Sequence, residues 1–94
     1  MSSEKLRFGF VGVGRRGLNH MRIASQFEEI SLEAACDIDE SRLKKVASTY
    51  GVRTYKSLDE MLEKEKLDVA VISTPTPLHV PQTLKCLEAG LDVI

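Results

Sequence analysis

Cysteine is scarce in this chain, with only Cys36 and Cys86 present. Two thiols, each inside a predicted strand or helix, cannot staple a small disulfide scaffold. Both are expected to be reduced and buried, behaving as small apolar side chains. Metal chemistry lacks its signature too: no grouping of His, Cys, Asp and Glu carries ligand spacing, and no metal site is expected. A surplus of charge is missing, since 13 Lys and Arg face 14 Asp and Glu for a net charge of -1. That balance gives no electrostatic footprint for nucleic acid and none for an anionic membrane surface. No apolar run approaches the ~20 residues that a membrane helix requires. Residues 1–5 are polar with no apolar stretch behind them, so no secretory leader is expected. Ser, His and Asp fall into no arrangement for nucleophilic catalysis. Internal repeats and low-complexity tracts are absent. These absences leave a cytoplasmic globular protein as the expectation, and a length of 94 residues caps it at one domain.

What is present begins at residues 8–17, F-G-F-V-G-V-G-R-R-G. An apolar run meets G-x-G-x-x-G at Gly12, Gly14 and Gly17, and a helical pattern follows. The first glycine permits a tight bend, the second lets a pyrophosphate approach the backbone, and the third lets helix pack close to strand. Asp37 ends a second apolar run, 20 positions beyond Gly17, where an acid can hold the free hydroxyls of a ribose.

Strand and helix patterns alternate along the whole chain. Strands are predicted over 6–11, 30–36, 52–55 and 68–72, with a further one opening at 91. A first helix is predicted over 15–27, with Leu18, Met21, Ala24 and Phe27 on one face. Asp39 caps a second helix running to Tyr50, and Gly51 is placed to stop it in the left-handed conformation. Ser57 and Glu60 form a capping box for a third helix. Pro77 starts a fourth, with Val80, Leu84 and Leu87 expected as its inner face and Gly90 as its end. The fold class expected is α/β: a doubly wound parallel sheet of order 3-2-1-4-5 between two helical layers. Its crevice lies between the ends of strands one and four, where the glycine bend meets Ser73 to Pro77.

Each candidate residue has a plain alternative. Arg15 and Arg16 oppose the dipole of the helix they open, which a bound diphosphate would reverse; otherwise they point into water. Asp37 either accepts ribose hydroxyls, repelling a 2′-phosphate and so favouring NAD over NADP, or serves as a turn residue. Asp39 fits the cap better, which frees Asp37, while Arg42 keeps NADP open. Ser73, Thr74 and Thr76 offer hydroxyls at a strand end; His79 stands one turn into the fourth helix, as ligand contact or surface residue. His20 packs or caps locally, and the charged stretch 60–66 is a solvated helix face.

These segments resemble the N-terminal part of the Gfo/Idh/MocA oxidoreductases. The resemblance rests on G-F-V-G-V-G-R-R-G at 9–17 with His20, A-A-C-D-I-D at 34–39, Y-G-V-R-T-Y-K-S-L-D-E-M-L at 50–62, D-V-A-V-I-S-T-P-T-P-L-H at 68–79 and C-L-E-A-G-L-D-V-I at 86–94. It implies a nicotinamide cofactor. It implies that Gly12, Val13, Gly14, Arg15 and Arg16 line the pyrophosphate and that Asp37 holds the ribose. Ser73, Thr74, Pro75 and His79 are then expected along the cofactor toward its nicotinamide end.

The family's Glu-Lys-Pro motif and its substrate domain have no counterpart within residues 1–94, which read as the dinucleotide-binding part of a longer protein without a catalytic residue of its own. The resemblance implies hydride transfer between NAD(H) and a secondary alcohol or ketone of a sugar, polyol or related metabolite, in a homo-oligomeric parent. The alternatives are an NAD-dependent glycoside hydrolase of the same family and a non-catalytic dinucleotide-binding or regulatory module.

Overall fold

The computed structural model describes residues 4–94, so Met1 to Ser3 of the polar start lie outside the described residues. Five parallel strands form one sheet in the order β3-β2-β1-β4-β5. They are β1 (Leu6–Val11), β2 (Ile30–Cys36), β3 (Arg53–Tyr55), β4 (Val69–Ile72) and β5 (Asp92–Val93). The helices between them are α1 (Arg15–Ala24), α2 (Glu40–Tyr50), α3 (Leu58–Lys64) and α4 (His79–Glu88), with a 3-10 turn over Thr76–Leu78 before α4. No described helix is long and apolar enough to cross a membrane.

Alternation along the strands builds two cores. Phe8 and Phe10 of β1, with Val69 and Val71 of β4, point to one face and bury Met21 and Ala24 of α1 and Leu43 and Val46 of α2. Val11, Ala34 and Cys36 point to the other and bury Met61 of α3. Beside them Ala70, Cys86 of α4 and Leu91 close the second layer. Strands in the centre are apolar on both faces because helices cover both. The β1–β2 register skips Glu33, a bulge that shifts the alternation of β2 by one residue. Glu33 there pairs with Arg53 at 2.8 Å, and Arg53 also holds Glu65 at 2.7 Å. This charged cluster closes the β3 edge, a common guard against strand addition.

Several local expectations change. α1 ends at Ala24 rather than at residue 27, and Phe27 is half exposed in the turn that follows. The capping box is half formed: the Ser57 hydroxyl accepts from the Glu60 amide at 3.2 Å, while the Glu60 carboxylate accepts from Lys64. The inner face of α4 is a larger correction. Val80, Leu84 and Leu87 are 69%, 53% and 52% exposed, and Cys86 is the residue that α4 buries. Two polar ties set that rotation. The imidazole of His79 meets the carbonyl of Thr74, and the side chain of Gln82 meets the Thr74 hydroxyl. The face holding His79, Gln82 and Cys86 turns inward, and the apolar stripe turns outward.

Candidate functional site

Two loops converge at the carboxyl ends of the central strands, β1 and β4, as the winding reversal requires. They enclose a groove of about 480 Å3 that holds Gly12, Gly14, Asp37, Ser73, Thr74 and Pro75 together. Its size falls within the usual range for small-molecule sites, about 300–1,000 Å3. A larger and shallower hollow of about 800 Å3 lies between α1 and α2, lined by Arg22, Lys45 and Tyr50. That hollow contains neither the strand ends nor the acid, so the groove is the candidate site.

The three glycines of the bend have three different reasons to be glycine. Gly12 has φ of +89°, a left-handed conformation that side chains disfavour, and its amide donates to the Cys36 carbonyl at 2.9 Å. Gly17 is in an ordinary helix, but a Cβ there would stand 2.0 Å from the Gly12 carbonyl oxygen. Neither position tolerates a side chain. Gly14 differs: its φ is -73°, and a Cβ would meet only the guanidinium of Arg42, at 3.2 Å from Nη1. The fold does not demand a glycine at 14, where only the end of a movable side chain stands near the missing Cβ.

Gly14 is also the N-cap of α1, and no side chain caps the helix there. Its first turn contains Arg15 and Arg16 and no acid. Cations at a helix start cost about 0.3–1 kcal/mol each when exposed, and an anion before the helix reverses the sign. Both arginines are exposed and line the groove.

Asp37 is tightly held, its side chain only 6% exposed. One carboxylate oxygen accepts from the Val13 amide and the other from the Asp39 amide, each at 2.9 Å. It therefore braces the glycine bend from β2, and each oxygen keeps a lone pair for a further donor. Asp39 takes the cap, accepting from the Ser41 and Arg42 amides. The Ser41 hydroxyl donates to Asp39 as well and, ahead of the Arg42 amide, holds its carboxyl below the ordinary carboxylate range. Cys36 lines the same groove, and burial pushes its thiol up to about 12, so it is no nucleophile at neutral pH.

The loop after β4 supplies an orphan. Ser73 Oγ is buried and has no hydrogen-bond partner among the described residues. Such a hydroxyl is costly unless something else satisfies it. A diphosphate needs donors: free helix-start amides, flanking cations, a lone hydroxyl and an approach clear of Cβ. A ribose needs a fixed carboxylate. The residues present fit a dinucleotide.

The groove thus gathers Gly12, Gly14, Arg15, Arg16, Asp37, Ser73, Thr74 and Pro75. Val13 and His79 stand apart from its lining. The Val13 side chain is wholly buried in the core, and only its amide reaches the site, through Asp37. The His79 ring is turned onto the Thr74 carbonyl; a carbonyl only accepts, so Nε2 carries the proton. Gln82 lines the groove and was missed by sequence reasoning. Its signal was its place three residues after His79, on the same face of α4.

Known proteins match along nearly the full chain. A family model described as "Oxidoreductase family, NAD-binding Rossmann fold" matches residues 6–94. The WlbA dehydrogenase of Bordetella pertussis, solved in complex with NADH and UDP-GlcNAcA, superposes with a TM-score of 0.92 at 34% identity, over 96% of this chain and 28% of that one. Myo-inositol 2-dehydrogenase of Lactobacillus plantarum superposes with a TM-score of 0.90 at 34% identity, over 96% and 27%. A curated relative, "Glycosyl hydrolase family 109 protein 1" of Shewanella sp. (strain MR-4), is 30% identical over 93% of this chain and 21% of its own length. The chain spans roughly a quarter or less of the proteins it matches.

Proposed function

The chain belongs to the Gfo/Idh/MocA oxidoreductase family as its NAD-binding Rossmann fold, and on that premise we propose that it supplies the cofactor half of a hydride-transfer site. Gly12, Gly14, Arg15 and Arg16 bind the pyrophosphate, while Val13 serves the site by donating its amide to Asp37. Asp37 holds the adenosine ribose. Ser73 donates its hydroxyl to the cofactor, and Thr74 and Pro75 wall the path toward the nicotinamide. His79 acts one step back, by fixing the Thr74 carbonyl. NAD bound there would supply the redox chemistry, and these residues bind and orient it.

The single observation that carries this reading is Gly14: a glycine outside the left-handed region, with only the movable guanidinium of Arg42 near its missing Cβ, at the mouth of an uncapped helix. Titration calorimetry with NAD+ tests it. The wild-type chain is expected to bind, and Gly14→Val is expected to lose binding while keeping its thermal midpoint. Retained affinity in that folded variant would put the pyrophosphate elsewhere.

For the protein as a whole we propose a cytoplasmic, homo-oligomeric dehydrogenase acting on a secondary alcohol or ketone of a sugar or polyol. The neighbours' UDP-GlcNAcA and inositol support that substrate class. The names of the curated relatives support a second reading, glycoside cleavage. Net NADH production from a free sugar selects the first; release of an aglycone without net NADH selects the second.

A further inference from the structure

A net charge of -1 hides a local surplus of the other sign. Arg15, Arg16, Arg22 and Lys45 line the hollow of about 800 Å3 between α1 and α2, and no Asp or Glu lines it. Helix geometry gathers them. Arg15 and Arg22 stand on one ridge of α1 with Asn19 between them, and Lys45 faces them from α2 with Thr49 one turn on. Leu18 and Tyr50, partly buried against the first core, form the floor. Charges of one sign around an apolar floor focus their field into the hollow.

These charges are unanswered within the fold. The side chains of Arg15, Arg16 and Lys45 make no hydrogen bond or ion pair among the described residues. Arg22 donates from Nη2 to the Asn19 side chain at 2.7 Å, which lays it along the ridge and leaves its other donors for an acceptor in the hollow. Elsewhere on the surface acids stand beside cations: Asp68 beside Arg7, Glu33 and Glu65 beside Arg53, Asp59 beside Lys85. Here like charges crowd one another, and two of them also oppose the dipole of α1. A bound anion would reverse both effects.

We propose that this hollow is a second anion site, which takes a compact polyphosphate between the basic ridge of α1 and Lys45 of α2. Cations on both walls call for several linked anionic groups, since a single phosphate or carboxylate answers only one or two of them. Arg15 and Arg16 also line the dinucleotide groove, so the two sites share guanidinium groups. A polyphosphate in the hollow draws them from the cofactor and weakens NAD, and by linkage NAD weakens the polyphosphate by the same factor. That coupling rests on the proposed dinucleotide site; the hollow itself does not.

The test is calorimetry with inorganic triphosphate at low, fixed ionic strength. Wild type is expected to bind it. Lys45→Ala is expected to weaken it about fivefold, the worth of a unit charge about 4 Å away even in water, and Arg22→Ala with Lys45→Ala more than tenfold. Lys44→Ala removes the same charge one residue away, outside the hollow, and is expected to stay within about twofold of wild type. Saturating triphosphate is expected to weaken NAD+ severalfold in wild type and not in the double variant, whose affinity for NAD+ alone should match wild type. Triphosphate that does not bind overturns the proposal. So do equal losses in Lys44→Ala and Lys45→Ala, which mean attraction to bulk charge. Triphosphate that weakens NAD+ equally in wild type and double variant sits in the dinucleotide groove, and that too overturns the second site. NAD+ affinity unmoved by triphosphate in wild type overturns the sharing of Arg15 and Arg16. Wild type that binds triphosphate through Arg22 and Lys45 but binds no NAD+ upholds the hollow and overturns the proposed function instead.

Discussion

The two loops that face each other across the groove are built by opposite means. The bend after β1 takes its shape from main chain: a left-handed Gly12, an amide-to-carbonyl bond to Cys36, and a helix start so close that Gly17 nearly touches the Gly12 carbonyl. The segment after β4 takes its shape from side chains: Thr74 with Gln82, His79 with the Thr74 carbonyl, and two prolines at 75 and 77. The first is buried and the second largely exposed. A surface made of main chain cannot be retuned by turning a rotamer. It suits the diphosphate, which every dinucleotide shares. A surface made of side chains can be altered one residue at a time, which suits the end of a cofactor that faces differing substrates.

The contrast is broken most severely at Gly17. Gly17→Ala places a methyl 2.0 Å from a main-chain oxygen that has no rotamer to escape into. The expected loss is about 3 kcal/mol or more, near the upper end for overpacking. Urea unfolding measures it, and a midpoint equal to wild type would mean that the bend is soft after all. Gly14→Val, three residues away, is the internal control: ligand lost, fold kept.

Asp37 is next, because its carboxylate braces the main-chain loop through the Val13 amide. Asp37→Ala strands two amides, of Val13 and Asp39. Unmet buried donors cost about 1–3 kcal/mol each, less where water reaches them. The same change is expected to weaken NAD and to narrow its advantage over NADP. An unaltered affinity ratio by calorimetry would separate the brace from the ribose contact and leave only the former.

The sequence made these two loops legible to different degrees, for a physical reason. The bend is encoded by spacing, since φ at Gly12 and clearance at Gly17 admit one residue type. The strand order, the Asp39 cap and the left-handed stop at Gly51, with φ of 70°, were legible on the same grounds. Side-chain ties leave no such mark. Val80, Leu84 and Leu87 make a good apolar stripe, yet α4 turns it outward because His79 and Gln82 are tied to Thr74 and Cys86 fits against Ala70. Periodicity says that a stripe exists; it does not say which face the neighbours will hold. Gln82 escaped notice for that reason, and His79 was expected to face a ligand rather than its own loop.

On the β4 side the expected effects shrink. Gln82→Ala removes one hydrogen-bond partner of Thr74, at a cost of about 0.5–1.5 kcal/mol. Its consequence should be local, read as faster amide exchange at Leu78, whose amide donates to Pro75 at 2.9 Å. Equal slowing or quickening across β1 and β4 would mean that the segment is coupled to the sheet and does not stand apart from it.

Ser73→Ala carries the smallest expected change in stability and the most telling sign. The two loops touch at this residue: a Cβ on Gly17 would lie 3.6 Å from that of Ser73, and one on Gly12 would lie 3.1 Å from its carbonyl carbon. That closeness shuts the hydroxyl away from solvent, and nothing among the described residues bonds to it. Removing an unmet buried hydroxyl deletes a penalty rather than an interaction, so the variant should be as stable as wild type or up to about 1 kcal/mol more so. Its NAD affinity should nonetheless fall, by roughly the fivefold to tenfold worth of one hydrogen bond. Stability and binding moving in opposite directions is the behaviour of a group kept for a ligand, a trade common at functional sites. If Ser73→Ala instead unfolds more readily, the hydroxyl had a partner within the fold. The groove would then lose the donor that links its side-chain wall to its main-chain floor.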